Sequence, residues 1–359
     1  MKNKYSPTFV VWEVTLNCNL NCIHCGSNAG KQRNKELNTN ESIKLCKELA
    51  EIGFKGVGLM GGETLLRKDW YKISKEIKDL GMCLSIITNG YFNPEKFLPK
   101  FRKLEVESIT IGFDGLKKTH NKIRGYPDAF DKTLKFIDAC NEAGLDPCPI
   151  TTFHKMNFNE FYQIRKLMLD RNLDWHVTAA SLIGRFPKNL LLSYEEYYAL
   201  GMIIAASQKE FSKEKIIAGH NFGFNSKIIP HLSLYPQWNG CYAGKKSLGI
   251  KSNGDVNGCL PLPDKLTEGN LKKDNLVKLW NDPNFCKYNR KFKKEDLGGF
   301  CKKCKYNMSC KGGCTLNSIS LTGKPHNDPL CFYRIEQEIF GRDIDKKVTE
   351  LKKRYKINL

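Results

Sequence analysis

The chain carries a strand-like run that leads directly into three closely spaced cysteines, VVWEVTLNCNLNCIHC, at residues 10–25. The β-branched residues of Val10–Val14 are typical of a buried strand, and the thiols of Cys18, Cys22 and Cys25 follow with the spacing C-x3-C-x2-C. A [4Fe–4S] cluster normally takes four thiolates, so three on one loop would leave one iron open to another ligand. A zinc knuckle is the alternative, although zinc usually takes paired C-x2-C ligands and a fourth ligand nearby.

Strand-like and helical segments alternate from this loop to about residue 185. Five amphipathic helices separate the strands, and this alternation predicts parallel strands joined by right-handed crossovers. We therefore expect an α/β fold, a partial (β/α)6 TIM-like barrel followed by a small cysteine-rich domain, with the active site in the loops at the carboxyl ends of the strands. The predicted strands are Val10–Val14, Gly56–Met60, Cys83–Thr88, Ser108–Phe113, Pro149–Phe153 and Trp175–Ala179.

Four regions are expected along the chain. Leu192–Phe211 is typical of a helix that starts with a capping box, and Gly249–Val256 is typical of a hairpin with an Asn-Gly turn. The cysteine-rich region has few apolar residues for its length, so we expect bound metal to hold it together. The bounds are 8–190 for the barrel, 191–235 for a bridging helix or linker, 236–340 for the cysteine-rich domain and 341–359 for a Lys-rich helix or tail.

The composition narrows the classes of function. The chain has 359 residues, 15 cysteines, a mean hydropathy of −0.46 and a net charge of +20. Its basic residues are scattered, without the Arg-rich and aromatic face of a nucleic-acid site, so nucleic acid is not an expected partner. The charge instead favours an acidic partner. Because we find neither a membrane-spanning run nor an export signal, we expect a cytoplasmic protein whose cysteines serve metal binding or catalysis rather than disulfides.

The three-cysteine loop resembles the signature of the radical S-adenosylmethionine (SAM) superfamily, C-x3-C-φ-C, with His24 at the φ position. The resemblance implies that Cys18, Cys22 and Cys25 hold a [4Fe–4S] cluster whose open iron is chelated by the amino and carboxylate groups of SAM. In that family the reduced cluster cleaves the sulfonium and yields a 5′-deoxyadenosyl radical. The protein's part is to keep this chemistry in a dry pocket and to aim the radical at one C–H bond.

Two further motifs fall directly after predicted strands. Gly61-Gly62-Glu63 is similar to the family's GGE motif, which binds the amino group of SAM: glycines permit close backbone approach, and Glu63 supplies a charged acceptor. The family usually has Pro next, where this chain has Thr64. Thr88-Asn89-Gly90 resembles the TNG turn near the ribose. By resemblance, the residues expected to contact SAM are Gly61, Gly62, Glu63, Thr88 and Asn89.

The fourth predicted strand ends in Gly112-Phe113-Asp114-Gly115, which is similar to the family's SLDG, but glycine replaces a Ser that often helps to bind SAM. Asp114, His120 and Arg124 follow one another on one loop and are candidates to face substrate or SAM, with an ordinary structural role as the alternative. Some peptide epimerases of the family use a lone cysteine to donate a hydrogen atom. The candidates for that role are Cys148 and Cys286.

A second set of cysteines lies in the carboxyl-terminal half. The spacing C-x12-G-x4-C, followed by C-x2-C-x5-C-x3-C and a last Cys, resembles the SPASM extension of radical SAM enzymes. C-x2-C is also a zinc-ribbon element, so two zinc ions are the alternative. The seven residues are Cys241, Cys259, Cys301, Cys304, Cys310, Cys314 and Cys331.

By that resemblance, two auxiliary [4Fe–4S] clusters are expected. The ligands of one would be Cys301, Cys304, Cys310 and Cys331. The ligands of the other would be Cys241, Cys259 and Cys314, with the fourth position open, or closed by a noncysteine side chain or by Cys286. Such clusters can also serve only to staple a small domain.

The resemblance implies a radical SAM maturase that installs a modification in a peptide or protein, because members with two auxiliary clusters mostly act on polypeptides. A basic surface suits an acidic leader peptide. The chain starts only a few residues before the first strand, so leader recognition would fall to a separate protein or to the barrel rim. An external electron donor of the flavodoxin or ferredoxin type is also expected. The alternatives are an enzyme acting on a tetrapyrrole or another small-molecule cofactor precursor, and a noncatalytic iron–sulfur electron carrier.

Overall fold

One sheet of ten strands runs through the described part of the chain, residues 5–220, 222–234 and 238–359 of a computed structural model. The strands are β1 (Phe9–Thr15), β2 (Gly56–Gly61), β3 (Cys83–Thr88), β4 (Ser108–Gly112), β5 (Pro147–Phe153), β6 (Trp175–Ala179), β7 (Ile216–Ala218), β8 (Ser247–Ile250), β9 (Asp255–Asn257) and β10 (Gly269–Asn270). Their order across the sheet is β10-β9-β8-β1-β2-β3-β4-β5-β6-β7. Every neighbouring pair from β8 through β1 to β7 is parallel, whereas β9 pairs antiparallel with both β8 and β10.

Helices follow most of the parallel strands, as the alternation in the sequence predicts. They are α1 (Thr39–Ile52), α2 (Trp70–Asp79), α3 (Leu98–Lys103), α4 (Lys117–Arg124), α5 (Ala129–Glu142), α6 (Phe161–Leu169), α7 (Tyr194–Glu210), α8 (Leu276–Asn281), α9 (Lys287–Arg290), α10 (Asn307–Cys310), α11 (Thr315–Thr322), α12 (Phe332–Arg334) and α13 (Ile344–Tyr355). A π-helical segment, Ile335–Phe340, continues α12. Among the described residues, no helix has the length and apolar character needed to cross a membrane.

Capping boxes fix the starts of two helices. At α1, the Asn38 side chain accepts a hydrogen bond from the Glu41 N–H, and the Glu41 carboxylate accepts one from the Asn38 N–H. Ser193 and Glu196 make the same reciprocal pair at α7, which confirms the predicted capping box. Each pair satisfies backbone N–H groups that the end of a helix otherwise leaves without partners.

The six predicted strands correspond to β1–β6, so the α/β class and the parallel sheet are confirmed. The predicted hairpin is also present, as β8 and β9, but β8 pairs with β1 and extends the barrel sheet, with Ser247 opposite Phe9. The sequence does not predict β7, because its three residues are too few to show a periodic pattern. The boundaries between the four regions stay a prediction.

A continuous hydrophobic core joins the barrel strands to the cysteine-rich half. Trp280 of α8 is 1% exposed and packs edge-on against Phe54, with ring centroids 5.0 Å apart. Phe332 of α12 packs against Tyr197 and Tyr198 of α7, at centroid distances of 5.5 and 5.7 Å. The few apolar residues of this half therefore pack into a core that the barrel already provides, and metal is not their sole source of cohesion.

Substitution of Gly201 tests the joint between α7 and α12. A Cβ at Gly201 would lie 2.3 Å from Cζ of Phe332. In an unobstructed helix Gly→Ala stabilises by about 1 kcal/mol, whereas overpacking at this contact should destabilise by about 1–3 kcal/mol. We expect Gly201→Ala to lower the thermal unfolding midpoint of the anaerobic protein, and addition of Phe332→Leu to recover part of the loss. An unchanged or raised midpoint for Gly201→Ala alone would show that the ring is free to move aside.

Candidate active site

The three-cysteine loop follows β1 at the carboxyl end of the parallel strands, where a barrel builds its active site. The N–H of Ile23 donates to the carbonyl oxygen of Ile123 in α4 at 3.0 Å. Arg185, beyond β6, donates from Nε to the carbonyl oxygen of Cys22 at 2.8 Å. The loop is thus held by segments from distant parts of the barrel.

The side chains of Cys18, Cys22 and Cys25 converge within this loop. Burial raises the pKa of Cys18 to about 11, and Glu63, Cys22 and Cys25 add to the rise because nearby negative charge disfavours the thiolate. Burial also raises the pKa of Cys22, against the opposing influence of Arg124. The three thiols therefore lie within electrostatic range of one another, and binding of a cluster would displace their protons.

Each of the three sulfurs accepts a hydrogen bond. Cys18 Sγ accepts from the Leu20 N–H at 3.5 Å and from Asn89 Nδ2 at 3.8 Å, Cys22 Sγ from Arg124 Nη1 at 3.7 Å, and Cys25 Sγ from the Ala29 N–H at 3.3 Å. Hydrogen bonds to sulfur stabilise thiolates and help to set the potential of a bound iron–sulfur cluster. The donor set therefore fits a cluster held by three thiolates.

Two glycines at the end of β2 let this strand approach the loop. A Cβ at Gly61, whose φ is 154°, would lie 2.0 Å from the carbonyl oxygen of Thr15, and a Cβ at Gly62 would lie 2.2 Å from that of Asn17. The Gly62 N–H donates to the Thr15 oxygen at 2.7 Å. Any side chain here would push β2 away from the thiol loop, so the close backbone approach expected of these glycines fits the structure.

Glu63 ties the end of β2 to the end of β3. Its carboxylate is 1% exposed, and Oε1 accepts from Thr88 Oγ1 at 2.9 Å and from the Leu65 N–H at 3.0 Å. Oε2 accepts from the Asn89 N–H at 2.8 Å. Burial raises the pKa of Glu63 to about 7, and these donors partly offset the rise. The GGE and TNG motifs therefore form one hydrogen-bonded unit beside the thiol loop, because Asn89 also reaches Cys18.

Asp114 and Arg124, which the sequence offered as groups facing substrate or SAM, are buried against each other. Their side chains are 2% and 9% exposed, and Arg124 Nη2 lies 2.5 Å from Asp114 Oδ2. His24 Nε2 lies 3.1 Å from the same oxygen, and the Thr152 N–H donates to Oδ1 at 3.0 Å. Burial alone would raise the pKa of Asp114, but Arg124 and His24 outweigh it and hold the pKa well below its ordinary value. The pair lies against the cysteine loop, in contact with Cys22 and His24.

Two buried histidines flank this pair. His120 accepts the Asp114 N–H on Nδ1 at 3.0 Å, and the ring of His154 lies 5.9 Å from that of His24. Burial lowers the pKa of His120 to about 3 and that of His154 to about 4, so both rings are neutral. His154 is not among the site residues that the sequence predicts. Its only signal is its place directly after β5, at the same end of the sheet as the thiol loop.

Cys148 and Cys286 do not join the three-cysteine loop. Cys148 lies at the amino end of β5, where burial, Asp146 and Asp174 raise its pKa to about 12. Because parallel strands point the same way, this is the opposite end of the sheet from the thiol loop. Cys286 lies in the cysteine-rich half and is 0% exposed; a Cβ at Gly258 would lie 2.8 Å from its Sγ. A hydrogen-donating role for either cysteine stays a prediction.

Four cysteines of the carboxyl-terminal half line one small cavity. They are the set implied for one auxiliary cluster, Cys301, Cys304, Cys310 and Cys331. Burial raises the pKa of Cys301 to about 11 and that of Cys331 to about 12, and the buried carboxylate of Asp328 adds to both. Four thiols around one cavity fit a four-thiolate cluster.

A second group contains Cys241, Cys259 and Cys314. Burial raises the pKa of Cys259 to about 12, and Cys241 adds to the rise. Burial likewise holds the pKa of Cys314 well above its ordinary value, with contributions from Cys241 and Cys259. The three thiols therefore lie within electrostatic range of one another, and their role as ligands of the other auxiliary cluster stays a prediction.

The surroundings of this second group offer two candidates for a fourth ligand. A Cβ at Gly258, next to Cys259, would lie 2.5 Å from the Tyr288 hydroxyl and 2.8 Å from Cys286 Sγ. The Tyr288 hydroxyl is buried and makes no hydrogen bond within the described residues. Nowhere in the described ranges do three His, Cys, Asp or Glu side chains take positions suited to a single metal ion.

Known relatives cover nearly the whole chain. An AdoMet-dependent heme synthase from Methanosarcina barkeri (strain Fusaro / DSM 804) is 28% identical in an alignment of 345 residues. The alignment covers 92% of this chain and 97% of that protein. The mycofactocin maturase MftC from Mycolicibacterium smegmatis (strain ATCC 700084 / mc(2)155) is 23% identical over 344 residues, 91% of this chain and 83% of that protein. The two names point to different substrates, so sequence similarity leaves the substrate open.

A solved structure shares the fold. The crystal structure of Streptococcus suis SuiB bound to precursor peptide SuiA superimposes with a TM-score of 0.74 at 18% identity, covering 91% of this chain and 76% of that chain. At this identity the likeness concerns the fold alone. It agrees with the α/β barrel and the cysteine-rich half described above.

Two family matches lie one after the other along the chain. Residues 12–168, which contain the thiol loop and the GGE and TNG motifs, match the Radical SAM superfamily. Residues 241–305 match SPASM, an iron–sulfur cluster-binding domain. The prediction of an enzyme is confirmed over that of a noncatalytic electron carrier, because the first match is to an enzyme superfamily. Both resemblances drawn from the cysteine spacing are therefore confirmed: the chain carries a radical SAM domain and, in its carboxyl-terminal half, a SPASM domain.

Proposed function

We propose that this radical SAM enzyme abstracts a hydrogen atom from a peptide or protein and thereby installs a post-translational modification. One observation carries the proposal of radical chemistry at this site: the thiols of Cys18, Cys22 and Cys25 lie together at the carboxyl end of the sheet, beside Glu63 and Asn89. A bound [4Fe–4S] cluster and SAM supply radical chemistry that protein side chains lack. The chain's own residues must then bind and orient these groups and exclude water.

The residues of the thiol loop and of the ends of β2 and β3 would have different roles in binding the cluster and SAM. Cys18, Cys22 and Cys25 would hold the cluster. The backbone approach at Gly61 and Gly62 keeps β2 against the loop. Glu63 would accept a hydrogen bond from the amino group of SAM. The hydrogen bonds that Thr88 and Asn89 donate already fix the direction of the Glu63 carboxylate.

The cysteine-rich half would hold two auxiliary clusters. The cavity lined by four thiols suits one of them. The group of Cys241, Cys259 and Cys314 would hold the other, with Tyr288, Cys286 or an outside ligand at its fourth position. Buried clusters in this half would also contribute to folding, because metal binding free energy is folding free energy where the site forms only in the folded chain.

A polypeptide substrate is supported by charge and by similarity. The net charge of +20 attracts acidic segments such as a leader peptide and would speed their encounter with the enzyme. The similarity to a mycofactocin maturase extends over 91% of this chain and therefore includes both halves. The proposed partners are a separate leader-peptide-binding protein and an external electron donor of the flavodoxin or ferredoxin type.

A tetrapyrrole is the second candidate substrate, favoured by one observation. The heme synthase from Methanosarcina barkeri is 28% identical to this chain over 97% of its own length. Tetrapyrroles carry carboxylates, so the basic surface suits them as it suits an acidic peptide. The two substrate classes are therefore to be tested side by side.

Cys22→Ala should abolish reductive cleavage of SAM, because it removes one of three thiolates from the cluster that binds SAM. Anaerobically reconstituted protein given dithionite and SAM should release 5′-deoxyadenosine, measured by liquid chromatography and mass spectrometry; the variant should release none above background. Cys140→Ala is the matched control, since this thiol is 0% exposed in α5 and lies outside all three cysteine groups. Release by Cys22→Ala at the level of the control would overturn the ligand assignment.

Iron content should approach about twelve atoms per chain, four in each of three clusters. Cys310→Ala should lower it to about eight, because it removes a ligand from the four-thiol group and none from the other two groups. Elemental analysis of the anaerobically reconstituted protein measures both values. Cys83→Ala, at an exposed thiol, should leave the content unchanged. Stoichiometric zinc with little iron would instead favour the zinc alternative.

The substrate class should show itself in paired incubations. Short acidic precursor peptides encoded by neighbouring reading frames, and carboxylate-bearing tetrapyrroles, are each mixed with enzyme, SAM and reductant. We expect tandem mass spectrometry to find a mass change in a peptide, with 5′-deoxyadenosine released in proportion and no product from Cys22→Ala. A product from the tetrapyrrole alone would transfer the proposal to the second candidate.

A further inference from the structure

The guanidinium of Arg124 fills the space that a side chain at position 112 would occupy. A Cβ at Gly112 would lie 2.2 Å from Nη2, 3.0 Å from Cζ and 3.2 Å from Nη1 of Arg124. This is the position where the SLDG motif of the family has Ser. The departure from the motif and the placement of the arginine are therefore one feature, because Arg124 could not lie there beside a larger residue.

From this place the guanidinium reaches a proposed cluster ligand and a carboxylate together. Nη1 donates to Cys22 Sγ at 3.7 Å, and Nη2 lies 2.5 Å from Asp114 Oδ2. The Arg124 Nε is buried and has no hydrogen-bond partner among the described residues. The arginine thus contacts Cys22 on one side and Asp114 on the other.

The charged groups of Arg124 and Asp114 are buried, and neighbouring groups of the fold surround them. A buried ion pair is tolerated only where further hydrogen bonds satisfy it. Asp114 Oδ1 accepts such a bond from the Thr152 N–H at 3.0 Å, while Oδ2 makes ion-pair contacts, 3.1 Å from His24 Nε2 and 2.5 Å from Arg124 Nη2. Asp114 therefore stays charged beside the loop, and it opposes part of the field that Arg124 exerts on Cys22.

We propose that Arg124 and Asp114 together set the reduction potential of the cluster that Cys22 helps to hold. The inference rests on the proposed function only in taking Cys22 as a cluster ligand. Reduction adds one electron, supplied by an external reductant, and increases the negative charge of the cluster. A cation and a hydrogen bond at a ligand sulfur favour that charge and raise the potential, whereas a nearby carboxylate lowers it. The two residues thus act in opposite directions.

The opposite signs distinguish this role from a purely structural one. Anaerobic holoprotein is titrated with reductant while its reduced clusters are followed by electron paramagnetic resonance; the signal that changes when SAM is added identifies the cluster of interest. Arg124→Gln should lower the equilibrium constant for one-electron reduction at least about tenfold, a shift of about 59 mV. Asp114→Asn should raise the potential. The double variant Arg124→Gln/Asp114→Asn should fall between the two, since it leaves neither charge without its partner.

Two further variants keep the test decisive if a single charge change impairs folding. Gly112→Ala should displace the guanidinium from Cys22 without removing its charge, so the potential should fall by less than in Arg124→Gln. Arg67→Gln is the control, because it removes an arginine that is 8% exposed and pairs with Asp69 at 2.7 Å instead of with a cluster thiol. The potential should then stay at the wild-type value.

The outcomes separate this inference from the proposed function. Potentials that do not move, or that move in the same direction in Arg124→Gln and Asp114→Asn, would overturn the proposal even if Cys22→Ala abolishes the SAM-responsive signal. If Cys22→Ala keeps that signal, the ligand assignment fails and the inference fails with it. Opposite shifts, together with a smaller fall in Gly112→Ala, would support the assignment of both residues.

Discussion

The register between β1 and β2 is the constraint on which the candidate site depends. Thr15 pairs with Gly61 at the last position of the two strands, so β2 ends beside the start of the thiol loop. The Glu63 N–H then donates to the carbonyl oxygen of Asn17 at 2.8 Å. Because neighbouring parallel strands end side by side, the carboxylate of Glu63 also reaches Asn89 on the next strand end. One strand register therefore positions the thiol loop, GGE and TNG against each other, and the missing side chains at Gly61 and Gly62 are what allow it.

Sequence reasoning succeeds where the cause of a feature is local. The strands β1–β6 carry their own β-branched, apolar residues, and the capping box of Ser193 and Glu196 spans three residues. The parallel pairing of β8 with β1 has no local cause. Ser247 and Phe9 are register partners in the sheet, but in sequence all of β2–β7 lie between them, so only the folded chain brings them together. The sequence thus predicts the hairpin correctly but not that it extends the barrel sheet.

The same distinction explains the candidate site. The three cysteines can be predicted because their spacing lies within one loop. The direction in which the side chains of Asp114 and Arg124 point cannot be predicted in this way, because it depends on the space left by Gly112 and on His24 in another loop. His154 is harder still, because a lone histidine after a strand has no pattern of its own. The roles of buried polar groups depend on partners that are distant in sequence. A motif can therefore locate a loop without showing which way the side chains of that loop point.

The two auxiliary thiol groups are not independent of each other. Asp328, 1% exposed, accepts from the Cys314 N–H at 3.0 Å and from the Leu330 N–H at 2.9 Å, so one buried carboxylate binds the backbone of one group and the residue that precedes Cys331 in the other. Phe332 follows at once and enters the barrel core against α7. A change at either thiol group would therefore act on the other group and on the packing of α7, because a shared hydrogen-bonding residue and a shared core couple them. The cysteine-rich half therefore shares a core with the barrel, and bound metal would add to that packing rather than replace it.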